Sequence, residues 1–426
     1  KRSPLTKNLF LLAIAFALCF LYICNFLNPA LAEEIARFHQ DRFAIGFWVD
    51  PPLDEKADVR YKEIADANFT LVVGVKARTP KEIYKQLELC EKYNLKTLVR
   101  TRGLNAEDYP TSSSACWGYL LKDEPSAADF KNLARKVEKN RERYPGKLSF
   151  INLYPNYANS GMLGKNTYEK YISDFMKIVN PDVLCMDHYP IFRPDGDGKD
   201  LYCSNLETMR KYSLKFNIPF WNFFNVMPYG SHTDPTEAQI RWQIYTSLAY
   251  GAKGVLYFCY FTPTGDEFPK GGAIIAIDGT QTHHYDEALR INGELKNLGA
   301  VIMQLTSTDV YRIPPGCNSE DILTSTPLKR ISKSKEDPDM DYLVGVFKHA
   351  DGRQAVLINN YHIAYNAWPT VEFRSDMSQV CEIDKISGEE ITVRDSSPKL
   401  PGVQLFIPAG TGRLFLISSA KPSQNN

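Results

Sequence analysis

Between residues 43 and 263 the chain repeats one rhythm eight times, a short apolar run followed by a segment with helical spacing. The runs are 43–49, 69–75, 97–100, 117–121, 148–153, 183–186, 220–226 and 254–261, rich in β-branched and aromatic residues. Helical spacing fills stretches such as 81–93, 127–144, 167–179 and 236–250. Runs that are apolar on both faces must be covered on both faces, which is the condition of parallel strands under crossover helices. Thr79-Pro80, Ser126 after Pro125, and Asp234-Pro235-Thr236 supply helix starts. An open, doubly wound sheet is the rival, but no Gly-rich phosphate turn follows the first run. The pattern predicts an α/β fold, a (β/α)8 TIM barrel.

After Gly299 the texture changes. Short strand-like runs at 342–348, 354–359, 370–373, 403–407 and 412–417 are separated by Gly, Pro, Asp and Asn, with no long helical period. This predicts a smaller all-β sandwich domain, with the charged segment 320–341 as an exposed loop. The expected organisation is a signal peptide over 1–32, the barrel over 33–302, the sandwich over 303–420 and a tail over 421–426. The leader is read from Lys1, Arg2 and Lys7 ahead of an apolar run over 9–27, with Ala30-Leu31-Ala32 as the cleavage box. An uncleaved anchor is the alternative, because the run is long enough to span a bilayer. Either way the chain is expected across a membrane, secreted or periplasmic/lumenal, with no membrane partner once the leader is removed. Lysines plus arginines equal aspartates plus glutamates, 50 against 50, so no global field recruits nucleic acid. Two of the nine cysteines lie in the leader, and the odd remainder shows no CxxC spacing. No disulfide scaffold, metal site or cofactor is expected, and His283-His284 reads as surface.

A barrel exposes its chemistry at the C-terminal ends of its strands, so the polar residue closing each run is the candidate. The fourth run ends Asp123-Glu124. Two adjacent acids in a desolvated mouth repel, which raises one pKa toward that of a general acid. Glu124 is the predicted proton donor, and Asp187, closing the sixth run, is its predicted partner across the mouth. Trp48, Asp50, Arg102, Tyr154, Asn156, His188, Tyr189, Trp221, Asn222 and Tyr257 are the predicted substrate-binding set. Amides that grip hydroxyls, rings that stack on C–H faces and carboxyl groups for proton transfer suit a carbohydrate.

Lys122-Asp123-Glu124-Pro125-Ser126, the run Asn152-Leu153-Tyr154-Pro155-Asn156-Tyr157, Asp187-His188-Tyr189-Pro190 and the stretch from Trp242 to Gly254 resemble barrel glycoside hydrolases. The resemblance is to clan-A-like and β-galactosidase-like members, and Gly412-Arg413-Leu414-Phe415-Leu416 resembles the last strand of their C-terminal sandwich. It implies hydrolysis of O-glycosidic bonds with Glu124 as acid/base. The sequence departs from the clan pattern at two places. Asp123 stands where those enzymes carry Asn before the acid, and Trp221-Asn222 offers no acid on strand seven. Two repairs are open: Asp187 as nucleophile or base, or Asp123 orienting a substrate acetamido group that attacks while Glu124 protonates. The rival class is an exported carbohydrate-binding barrel without catalysis, and a lyase or transglycosylase is a third.

Overall fold

The computed structural model describes residues 37–418 apart from 102–103, 105–108, 111, 193–195 and 333–338. The expected leader, its cleavage box, Arg102 and the expected tail lie outside the described residues.

All eight runs are strands: β1 Ala44–Phe47, β2 Leu71–Gly74, β3 Lys96–Arg100, β4 Cys116–Asp123, β5 Leu148–Leu153, β6 Leu184–Asp187, β7 Phe220–Asn225 and β8 Gly254–Phe258. They pair in parallel in chain order, and β1 closes on β8 with Ala44 opposite Gly254 and Phe47 opposite Tyr257. The result is a TIM barrel. Among the described residues seven helices of ten residues or more cover it: α1 Ala57–Asp66, α2 Pro80–Lys92, α3 Phe130–Arg143, α4 Tyr168–Val179, α5 Lys199–Phe216, α6 Glu237–Ala249 and α7 His283–Met303. Two begin at capping boxes, Thr79 with Glu82 and Thr236 with Gln239, which satisfy the orphan amides of the first turn. Among the described residues no helix joins β3 to β4. That connection carries Pro110 and three serines at 112–114, and Tyr109 fills the gap by packing on Tyr119 and Tyr144.

Beyond α7, β9 Leu305–Ile313 opens an antiparallel β domain. A six-stranded sheet runs in the order β15 Glu390–Thr392, β14 Val380–Ile383, β17 Gly412–Ile417, β12 Gln354–Asn360, β11 Tyr342–His349, β9. A three-stranded sheet of β10 Leu328–Ser332, β13 Thr370–Phe373 and β16 Val403–Gln404 lies over it. The period of two sorts the larger sheet cleanly. Val344, Val346, Val356 and Ile358 face the sandwich core, while Leu343, Phe347, Ala355 and Leu357 join the barrel's outer core. The segment 320–341, expected as an exposed loop, contains β10 instead. Leu328 and Ile331 are buried there, and β10 pairs antiparallel with β13; neighbouring charges at Lys329 and Arg330 concealed the alternation.

Gly118 marks the tightest approach in the barrel wall. A Cβ there would stand 2.0 Å from the Leu148 carbonyl oxygen on β5, a backbone atom that cannot rotate away. Gly118→Ala is therefore expected to destabilise the chain by about 2–3 kcal/mol, read as a lowered urea midpoint. A melting profile equal to wild type would refute the packing argument.

Candidate active site at the barrel mouth

The side-chain phase of each strand decides which polar groups reach the mouth. On β5, Leu148 and Phe150 point into the barrel, so Asn152 is the next inward residue. On β6, Val183 and Cys185 point inward, and Asp187 follows them in phase. On β4 the register slips between Leu120 and Lys122: Leu120 pairs with Phe150, Lys122 with Ile151 and Asp123 with Asn152. This bulge gives the inward position to Asp123 rather than to Lys122, a known use of bulges beside functional sites. Asn152 Nδ2 donates to Asp123 Oδ1 at 3.1 Å. Glu124 then takes a left-handed conformation, φ 45°, with its N–H donating to the Asn152 carbonyl at 2.9 Å. A non-glycine residue held there stores strain that the surrounding contacts must maintain.

The carboxyl groups share one electrostatic neighbourhood. Burial pushes Glu124 up to about 7, and the negative charges of Asp123 and Glu267 add to it. Asp187 lies well above the usual carboxylate range, first through burial and then through the charges of Glu124 and Asp123. Its Oδ1 is buried without a hydrogen-bond partner. Asp123 is raised by burial as well, with the Asn152 bond and the Lys122 charge pulling the other way. Although Asp123 keeps surface open to solvent, protein crowds it on the barrel side. The Tyr154 hydroxyl is raised by burial and then by Glu124, Asp123 and Asp187, which sets it among all three.

Rings stand beside these acids, Tyr189 and Tyr229 both feeling the charge of Asp187. Tyr189 packs edge-on against Tyr229 at 5.8 Å and lies 5.3 Å from Phe258, and Tyr229 meets Phe268 at 5.8 Å. Trp48 stands edge-on to Phe223 at 5.8 Å. The mouth thus combines clustered acids with half-buried aromatic faces, a lining that suits a polar molecule with C–H faces.

No family model matches the chain, and no curated protein does. Solved structures do. A GH42 β-galactosidase from G. stearothermophilus, solved as a catalytic mutant, aligns with TM-score 0.54 at 8% identity over 89% of this chain and 98% of that one. The β-galactosidase from Rahnella sp. R3 aligns with TM-score 0.50 at 9% identity over 90% of this chain and 99% of that one. The β-galactosidase from the psychrophilic Marinomonas ef1 aligns with TM-score 0.43 at 12% identity over 60% of each chain, so this chain spans about three-fifths of that protein's length. The likeness is one of fold. A closed barrel followed by a β domain is the fold that this chain shares, over about nine-tenths of its length, with the first two of these.

Several residues predicted from sequence for substrate binding lie elsewhere. Trp221 is the second residue of β7 and sits in the barrel interior, stacked on Trp117 and donating from Nε1 to Gln40 at 2.9 Å. Asn222 points outward and donates to Tyr202 and Ser247 on the helices. Tyr257 also points outward, to Asn292 on α7 at 2.8 Å. His188 turns away from the mouth to Asn205 on α5, and burial pushes it down to about 4. Asn156 is pinned to the same helix, its N–H to Asn205 and its Nδ2 to the Leu201 carbonyl. Asp50 is fully buried: Oδ1 accepts from the amides of Val75 and Lys76, and Oδ2 from Gln86 Nε2 at 2.7 Å. Trp48, Tyr154 and Tyr189 remain at the mouth with Asp123, Glu124 and Asp187. Glu267, Tyr229, Phe258 and Phe268 join them from the last barrel strands and their loops. Asp266-Glu267 is visible in the sequence as the polar pair beyond the eighth run, but loops have no period by which to aim a side chain. His283-His284, read as surface, is half wrong, since His284 is buried beneath the N-terminus of α7.

Asp50 is thus a tie between β1, the end of β2 and α2. Asp50→Ala removes an acceptor shared by the Val75 and Lys76 amides and Gln86 Nε2, and is expected to cost about 2–4 kcal/mol, measured by urea unfolding. Asp50→Asn, which keeps the oxygen that accepts both backbone amides, is expected to lose much less.

Proposed function

We propose that the chain is a glycoside hydrolase acting on O-glycosidic bonds of an oligo- or polysaccharide, with Glu124 as the general acid/base and Asp187 as its partner. The observation that carries this reading is the group of carboxyl groups at one barrel mouth, each with its pKa raised by burial and two of them raised further by their neighbours' charge. Two interacting acids that cannot both ionise hold a proton between them near neutral pH. Glu124 donates that proton to the departing glycosidic oxygen, and the Asp187 carboxylate attacks or stabilises the oxocarbenium-like carbon. Asp123 biases Glu124 by its charge, and in a substrate bearing an acetamido group it would orient that group for attack. Trp48, Tyr154 and Tyr229, each partly exposed, offer ring faces to the sugar, and the buried Tyr189 packs against Tyr229. The fold shared with β-galactosidases agrees with this class of reaction; the sugar is left to a substrate panel. Export by a leader that ends at Ala32 is part of the same proposal.

A second reading, a sugar-holding barrel without turnover, is favoured by one observation. The end of β7 carries Asn225 in place of an acid.

A panel of chromogenic glycosides separates them. Glu124→Gln is expected to lower kcat by about 10²–10⁴, with the smaller losses on good leaving groups, which need little protonation. Asp187→Asn is expected to lose activity on every substrate regardless of leaving group. Binding of oligosaccharide with no hydrolysis across the panel would select the second reading.

The pH profile is a separate expected outcome. A donor lifted to about 7 is protonated below that pH and loses its proton above it. The rate is therefore expected to fall as pH rises through 7, and this limb should vanish in Glu124→Gln.

A further inference from the structure

Beyond the C-terminal end of β7, Asp234, His283 and His284 come together. Asp234 lies in the loop after β7, and the two histidines open α7. One ligand atom from each lies within 4.8 Å of the others. The His284 side chain is wholly buried, its Nε2 2.9 Å from Asp234 Oδ1 and its Nδ1 2.6 Å from Glu287 Oε2. His283 is exposed and lies ring against ring with His284, centroids 4.0 Å apart.

We propose that Asp234, His283 and His284 form a zinc-type divalent metal site that clips the loop after β7 to the start of α7. The donor set is two imidazoles and a carboxylate, which suits a borderline cation and leaves a fourth tetrahedral position for water. Zinc bonds of about 2.0–2.2 Å put neighbouring ligand atoms roughly 3.3 Å apart. The His284–Asp234 pair needs to open by only a few tenths of an ångström to admit the ion. Glu287 completes the arrangement: a carboxylate on Nδ1 fixes the ring and leaves Nε2 as the ligand, the usual support behind a metal-bound histidine. The positive end of α7 opposes a cation with roughly half a charge, and the Asp234 and Glu287 carboxylates outweigh it. The His284–Asp234 pair alone would hold the loop. His283 is the discriminating residue, because a bare ion-pair clasp has no use for a second imidazole, and among the described residues no hydrogen bond engages it.

The two elements joined here border the mouth. The loop after β7 carries Tyr229, and the stretch leading into α7 carries Glu267 and Phe268. A metal at this point would fix their relative position without touching substrate. The proposal does not rest on the glycosidase reading, and its test uses no substrate.

The test is calorimetric titration of zinc chloride into the tag-free, chelator-treated full chain, with thermal melting alongside. One saturable site per chain and a raised Tm are expected. His283→Ala, an exposed change that leaves the His284 contacts intact, should melt like the metal-free wild type. It should also bind zinc at least about tenfold more weakly and lose the Tm gain. Absence of a saturable site in the wild type, or equal affinity in His283→Ala, overturns the proposal.

Discussion

Crowding of acidic groups at a partly dry mouth is the constraint to which the rest of the barrel answers. Two unit charges about 5 Å apart in a medium of effective dielectric about 20 repel by roughly 3 kcal/mol, so such groups separate or share protons unless the fold holds them together. Here the fold holds them. Glu124 is kept in a left-handed conformation by its bond to the Asn152 carbonyl, while the Asn152 side chain grips Asp123. Asn152 thus serves two neighbours from a position that its own strand period sets. The raised pKa of Glu124 is a consequence of this placement, and a raised pKa is what a general acid requires.

A second set of polar residues, on or just past the strands and on the helices behind them, does the opposite work. Asp50, Asn205, Asn222 and Gln243 are fully buried, and their bonds run between strands and the helices behind them. Asn205 is the clearest case. Its Oδ1 receives the Asn156 amide and meets His188 Nδ1, and its Nδ2 reaches the Tyr168 hydroxyl. One amide side chain therefore anchors the ends of β5 and β6 to α4 and α5. The mouth can tolerate strain and repulsion because these bonds fix the strands that carry it.

This division explains what could be read from the sequence. Eight strands and their order were legible because continuous apolar runs separated by amphipathic segments report burial on both faces. Asp123, Glu124 and Asp187 were legible as acids closing such runs. The pocket was less so. Trp221 and Asn222 open the seventh run rather than close it, which leaves Trp221 deep in the barrel and Asn222 turned to the helices. His188 and Tyr257 fell on the outward phase for the same reason: a one-residue change of phase moves a side chain from the mouth to the helix layer. The bulge at β4 acts in the other direction, and nothing in the letters from Leu120 to Asp123 announces it.

The end of β7 shows why likeness of fold did not carry an acid with it. Asn225 is bonded on three sides. Its N–H donates to Gln243 Oε1 at 3.1 Å, its carbonyl accepts from Gln243 Nε2 at 3.0 Å, and its Nδ2 donates to the Thr233 carbonyl at 3.3 Å. A carboxylate there would turn an oxygen toward the Thr233 carbonyl and lose that donor in a buried setting, which is costly. Negative charge instead stands on β6 at Asp187 and in the loop after β8 at Glu267. Glu124 at the end of β4 and Asp187 at the end of β6 interact strongly enough for the charge of Glu124 to raise Asp187. On the hydrolase reading, the proton that Glu124 donates and the charge that Asp187 offers are therefore set by one another, because ionising either acid opposes ionising its partner.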